Sequence, residues 1–280
     1  MAGCMSSPLS PRTRFTELVS NGDGFDLAEV ALLIAAEAYP GLDLARYLRA
    51  LDALAVEAQA RQHGADGDVE RVRRLVHFLA VEGRFRGNQD DYYDRRNSFL
   101  NEVLERRTGI PITLALIYME VARRLGLLVV GVGFPGHFLV KHPGSPELVI
   151  DPFFGQILSP EDCEQRLRAA LGPSARLEPT HLEPAAPRDI VVRMLRNLKQ
   201  IYLRAREYEP ALACSERILL VQPELSQELR DRGLLYEQLE CYAAARADLE
   251  RFLALAPDDP SADTVRQHLI EIRSERGTLH

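Results

Sequence analysis

Cysteine is scarce and scattered. Only four occur in 280 residues (Cys4, Cys163, Cys214 and Cys241), with no CxxC pair and no metal-like spacing. That excludes a disulfide framework and a zinc cluster, and leaves free thiols in a reducing compartment as the expected state. Long apolar runs are missing too. No stretch approaches the roughly 18 residues that cross a bilayer. The opening MAGCMSSPLSPRTRF carries no apolar segment of the secretory kind, so residues 1–13 are expected to be a disordered tail. Basic charge is in deficit: 34 Lys+Arg stand against 41 Asp+Glu, a net charge of −7. That argues against nucleic acid as a partner. The doublets Arg95-Arg96, Arg106-Arg107 and Arg123-Arg124 read as solvated faces or buried pairs. The expectation is a cytoplasmic protein with no membrane segment, no metal and no cofactor.

What is present is an ordinary globular mixture, 46% hydrophobic and 27% charged, in a chain long enough for two domains. Residues 15–82 read as helices. Asp26 caps a helix through LAEVALLIAAEAY that Pro40 ends, with Leu27, Val30, Ala31, Ile34 and Ala35 at helical spacing. Asp43 opens LARYLRALDALAVEAQA, and VERVRRLVHFLAVE follows a glycine break, with His77 expected as a packed core histidine. After the irregular stretch 83–96, NSFLNEVLERRTG predicts a helix that Ser98 could cap and Gly109 would stop. IPITLALIYMEVARRLG predicts a buried helix with Pro111 in its first turn and Gly126 at its end. From Leu127 the runs LLVVGVGF, HFLVKH and ELVID predict antiparallel strands, and Ser159-Pro160-Glu161-Asp162 predicts another helix start. Four prolines within 173–187 mark that stretch as a linker.

The rest is helical and repeats. YEPALACSERILLVQPE at Tyr208 and YAAARADLERFLALAPD at Tyr242 lie 34 residues apart, the tetratricopeptide period. Tyr202 aligns with Tyr236, Ala211 with Ala245, and Pro223 with Pro257. Leu195 and Leu229 stand where the motif prefers tryptophan, a residue this chain lacks. Gly233 fills the small inter-helix position, but its counterpart is Lys199. The pattern predicts repeats over 192–225 and 226–259 and a capping helix, together 188–275. First-helix residues Arg193, Arg196, Gln200 and Arg204, with Arg230 and Gln238, would line the concave groove. Either they clamp an acidic or C-terminal carboxylate ligand, or they are a charged face packed on the other domain.

Residues 97–152 resemble the transglutaminase-like core, shared with papain-type enzymes. The carriers are ARRLGL at the end of the Pro111 helix, His137 in PGHFLV and Asp151 in VIDPF. The longer wording NSFLNEVLERRTGIPITLALIYMEVARRLGL, GVGFPGHFLV and IDPFFG is similar to SirB-type transglutaminase-like/tetratricopeptide proteins of bacteria, over nearly the whole chain. The resemblance implies an α+β fold: a mostly helical transglutaminase-like (papain-like) domain over 14–172 with a small antiparallel sheet, then the all-α repeats. It implies a nucleophilic cysteine at a helix N-terminus, a histidine base and an orienting aspartate. Here the cysteine slot falls on Pro111, and no cysteine lies within 45 residues of it. Pro111, His137 and Asp151 therefore read as relic positions in a cleft with Asn97, Ser98, Gly109, Thr113 and Gly136. The expected role is a non-catalytic regulatory protein that binds a protein or peptide. The alternative is a cysteine-independent amidase, protease or acyltransferase that uses His137 and Asp151.

Overall fold

The computed structural model describes residues 9–275, with side chains described to residue 272. Capping chemistry sets most helix starts. Helix α1 (Pro11–Ser20) opens inside the expected tail, because Ser10 Oγ accepts from the Thr13 amide at 3.1 Å. The tail expectation is thus corrected for Pro11–Thr13; residues 1–8 lie outside the described residues. Asp26 caps α2 (Leu27–Ala38) and Asp43 caps α3 (Leu44–Ala60), with bonds of 2.9 and 3.1 Å to the third residue on. Helix α2 is buried from Leu27 to Ala36 save for Glu29, as expected of a helix apolar on every side.

Helix α4 (Gly67–His77) turns Val72, Leu75 and Val76 inward. His77, expected in the core, is exposed instead. One residue past Val76 the helix has rotated about 100° away from the buried stripe. Helix α5 (Leu100–Arg106) ends at Arg107, in the left-handed region at φ 57°, and not at Gly109. Its N-cap is Phe99, so Ser98 does not cap it. Gly109 belongs to a short parallel pairing the sequence did not suggest, β1 (Arg86–Gly87) with β2 (Thr108–Gly109). Side chains are excluded there by contact. A Cβ on Gly87 would lie 2.4 Å from the Phe153 ring, and one on Gly109 2.9 Å from Thr113 Oγ1.

Helix α6 (Pro111–Arg124) is buried along most of its length and ends at Gly126, φ +69°. It packs on an antiparallel sheet in the order β3 (Val130–Val132), β4 (Leu139–Lys141), β5 (Val149–Asp151), β6 (Gln156–Leu158). Strand β6 was not foreseen: three residues of mixed polarity carry no alternation long enough to read. Helix α7 (Pro160–Leu171) begins at a capping box in which Asp162 N donates to Ser159 Oγ and Ser159 N to Asp162 Oδ2.

Residues 173–187 are not a free linker. Ala185 N donates to Gly131 O at 2.8 Å, Pro184 bridges Val132, and Leu177 and Leu182 pack against the core under the sheet. The chain divides into two compact units between Met194 and Leu195 rather than at residue 187. The division falls inside α8 (Pro187–Arg204).

The second unit continues with α9 (Tyr208–Val221), α10 (Ser226–Gln238), α11 (Tyr242–Leu255) and α12 (Ala262–Glu275). Packing follows the repeat. Ala211 and Ala245 are fully buried, and a Cβ on Gly233 would meet Leu249 at 2.8 Å. Lys199, which replaces that glycine in the first repeat, is buried as an ion. Its Nζ lies 2.6 Å from Glu228 Oε1 and 3.0 Å from Asp231 Oδ2, and Ser215 Oγ donates to the same Glu228 oxygen at 2.6 Å. Removing one member of such a pair strands the other in low dielectric. Lys199→Met is expected to cost about 3–5 kcal/mol in urea unfolding, whereas Lys199→Met combined with Glu228→Leu recovers much of that loss.

Candidate functional site

Strand β5 ends in a carboxylate with no solvent exposure. Asp151 Oδ1 accepts from the amides of Phe153 (2.9 Å) and Phe154 (3.4 Å), so the aspartate shapes its own turn. The same oxygen lies 2.9 Å from His137 Nε2. A carboxylate accepts, so Nε2 carries the proton and Nδ1 is left as a base. Among the described residues Nδ1 has no hydrogen-bond partner. Arg166 on α7 brings Nη2 to 3.1 Å from Asp151 Oδ2. This is an ion pair and not an aligned hydrogen bond, for Oδ2 and Arg166 Nε both lack a bonded partner. Gly136 makes the turn before His137 at φ +67°, and a Cβ there would press on Ala170 at 3.0 Å.

His137 opens on a cavity of about 410 Å³ lined by Tyr92, Pro111, Pro135, Gly136, Phe153, Phe154, Arg166, Ala169 and Ala170. The His137 ring stacks on Phe154 at 6.5 Å and meets Phe153 edge-on at 6.0 Å. Tyr92 completes the aromatic wall, and its phenol pKa is raised by burial. Phe134 and Phe138 do not fill this space; both are buried in the core. Pro111, the first residue of α6, lines the same cavity as His137. Its ring offers no nucleophile and no proton.

The expected cleft residues part company. Asn97 is fully buried and works as a fastener. Its side-chain amide donates to the carbonyls of Asp91 (2.8 Å) and Tyr92 (3.3 Å) and its Oδ1 accepts from Asn88 and Arg106. Its own carbonyl accepts from Thr113 Oγ1 at 2.7 Å. Thr113 also bonds both ways with Ile110, which commits its hydroxyl to holding the start of α6. Gly109 passes the chain against that hydroxyl. Ser98 Oγ is buried without a partner and does not line the cavity. Thus Asn97, Gly109 and Thr113 brace the start of α6, while Gly136 and His137 line the cavity and Asp151 bonds His137 from behind it. Sequence reasoning missed Tyr92, Phe153, Phe154 and Arg166. The two phenylalanines stood beside Asp151 in the quoted IDPFFG, but Arg166 had no local signal.

The groove expectation needs correction. Arg193 belongs to the first unit, where its guanidinium donates to the carbonyls of His137 and Phe134 and lies 5.5 Å over the Phe138 ring. Arg230 is held by Asp231 and by Ser261 Oγ at 3.1 Å. Arg196 approaches Glu228 at 3.8 Å. Arg193, Arg196 and Arg230 thus meet acceptors within the chain. Gln200, Arg204 and Gln238 are exposed on the first helices of the repeats.

A transglutaminase-like superfamily model matches residues 45–196, more than half of the chain. The chain belongs to this family. A tetratricopeptide repeat model matches residues 198–269. The UPF0162 protein of Xylella fastidiosa (strain 9a5c) is 42% identical over 266 residues, 91% of this chain and 92% of its own length. That of Pseudomonas aeruginosa is 39% identical over 84% of this chain and 86% of its own. Protein SirB1 of Salmonella typhimurium is 31% identical over 75% of this chain and 79% of its own. This transglutaminase-like chain is therefore of the SirB type. Among its described residues no helix is long and apolar enough to cross a membrane, and no cluster of His, Cys, Asp and Glu could hold a metal ion.

The thiol of Cys163 on α7, which feels the charges of Arg166 and Asp151, is pushed up to about 11 by burial. A thiol ordinarily ionises near 9, so between these values the native state holds a proton the unfolded state has released. Stability contributed by Cys163 is therefore lost as pH rises from about 9 to 11. At pH 8, alkylation followed by mass spectrometry is expected to label exposed Cys241 and spare Cys163. Asn97→Ala is expected to cost about 2–3 kcal/mol and to speed amide hydrogen exchange across residues 88–92, which the asparagine ties down.

Proposed function

We propose that this protein is a non-catalytic regulatory binder, a transglutaminase-like pseudoenzyme in which tetratricopeptide repeats hold a protein or peptide partner. One observation supports the reading: Pro111 opens α6 and lines the same cavity as His137, in the slot where the family resemblance implies a cysteine thiolate. A helix N-terminus would lower a thiol's pKa there, and nothing else at that position can attack. The repeats supply the partner-binding half of the reading, with exposed Gln200, Arg204 and Gln238 as its contacts. An acidic partner is less favoured than the residue types suggested, since Arg193 and Arg230 already serve acceptors within the chain. The reading includes a cytoplasmic setting, which the free thiols Cys163, Cys214 and Cys241 suit.

The second reading is a cysteine-independent hydrolase in which His137 activates water. The His137–Asp151 bond of 2.9 Å and the unpartnered Nδ1 favour it. The two readings separate cleanly. With amide, thioester and peptide substrates, wild type and His137→Ala are expected to give the same background rate; a rate that disappears with the imidazole establishes the hydrolase. Pro111→Cys is expected to create a thiol that alkylates roughly tenfold faster near pH 7 than an ordinary cysteine, and to lose that advantage when His137→Ala is added. For the binding half, a partner retained by the full chain from its own lysate is expected to be lost on combining Gln200→Glu, Arg204→Glu and Gln238→Glu. Retention by that triple variant counts against the repeat groove.

A further inference from the structure

A second cavity, of about 400 Å³, lies between the sheet and the strap that leads from α7 to α8. That volume is in the range of small-ligand sites. Its floor is apolar and deep: Val149, Leu158 and Cys163 are 3%, 3% and 1% exposed. Leu177 and Leu182 of the strap form its roof and pack on the same core. The Cys163 thiol is held neutral by burial, so it lines the floor as an apolar group and offers no nucleophile.

Charge at the cavity is specific. Lys141, at the end of β4, lines it and has no ion pair among the described residues. Glu147 is occupied otherwise: its carboxylate accepts from Ser145 Oγ and feels Arg73. Glu178, on the strap, is the second acid, and His142, next to Lys141, is bonded through Nδ1 to the Leu128 carbonyl, so Lys141 is the group left to meet an anionic head. An unpaired cation above an aliphatic slot matches a molecule with one anionic head and a saturated tail.

We propose that this cavity binds a medium-chain aliphatic monocarboxylate, its head on Lys141 Nζ and its chain against Val149, Leu158 and Cys163. The proposal does not depend on the role assigned to His137 or to the repeats. Calorimetric titration of the full chain with octanoate, decanoate and decanol, below their aggregation limits, tests it. Affinity is expected to rise roughly fourfold per methylene from octanoate to decanoate, and decanol to bind at least about fivefold more weakly than decanoate. Lys141→Met is expected to bring decanoate down to the decanol level and to leave decanol unchanged. Leu177→Trp, at a half-buried roof position, is expected to abolish binding of both; Leu182→Phe serves the same purpose should the first variant fail to fold. No decanoate binding at millimolar concentration overturns the proposal. So does an affinity that is the same in wild type, Lys141→Met and the roof variants.

Discussion

The first unit is organised around a carboxylate that water cannot reach. Burying Asp151 costs several kcal/mol unless donors or an opposite charge surround it, and the chain supplies donors from two segments and a cation from a third. The amides of Phe153 and Phe154 close the turn after β5, His137 comes from the turn before β4, and Arg166 comes from α7. Each partner brings one cavity wall with it. Satisfying one charge therefore places an imidazole, two aromatic rings and a guanidinium around the same space. The arrangement is rigid for a reason that does not require catalysis.

In an acting enzyme of this superfamily the aspartate orients the imidazole and the imidazole serves a thiol. Here Asp151 lies 2.9 Å from His137 Nε2, and the tip of α6 carries Pro111. Asn97 and Thr113 still hold the tip of α6 in place, with hydrogen bonds spent on a helix start that carries a proline. Proline suits that place, because the first turn of a helix has no use for its amide hydrogen. A proline at that position leaves the fold's local rules satisfied.

The second unit makes the same point with charge. A tetratricopeptide repeat wants a small residue where its helices cross, and Gly233 provides one. Lys199 in the preceding repeat cannot be small, so it is neutralised in place by Glu228 and Asp231, with the Ser215 hydroxyl donating to Glu228. Such a buried ion contributes little net stability, yet it penalises every packing that leaves it unpaired. The same demand for partners explains why most of the groove arginines are engaged. A cation that finds an acceptor within its own chain is not held ready for a ligand.

By itself the sequence determined the helices with strong caps and strict periodicity, the strand-rich stretch after Leu127, the 34-residue repeat and the absence of a nucleophile at Pro111. Those features are written in neighbouring residues, through capping bonds, side-chain spacing and identity. Only the tertiary structure decided where Arg166 and Arg193 point, that His77 faces solvent, that Gly109 pairs with Gly87, and that the proline-rich strap roofs a cavity. Each of these depends on partners from 15 residues away (Arg166 to Asp151) to 59 (Arg193 to Phe134), or on the exact rotation of a helix. A linear pattern holds no information about which distant carbonyl or carboxylate will meet a long flexible cation, because that is set by how the elements close on one another.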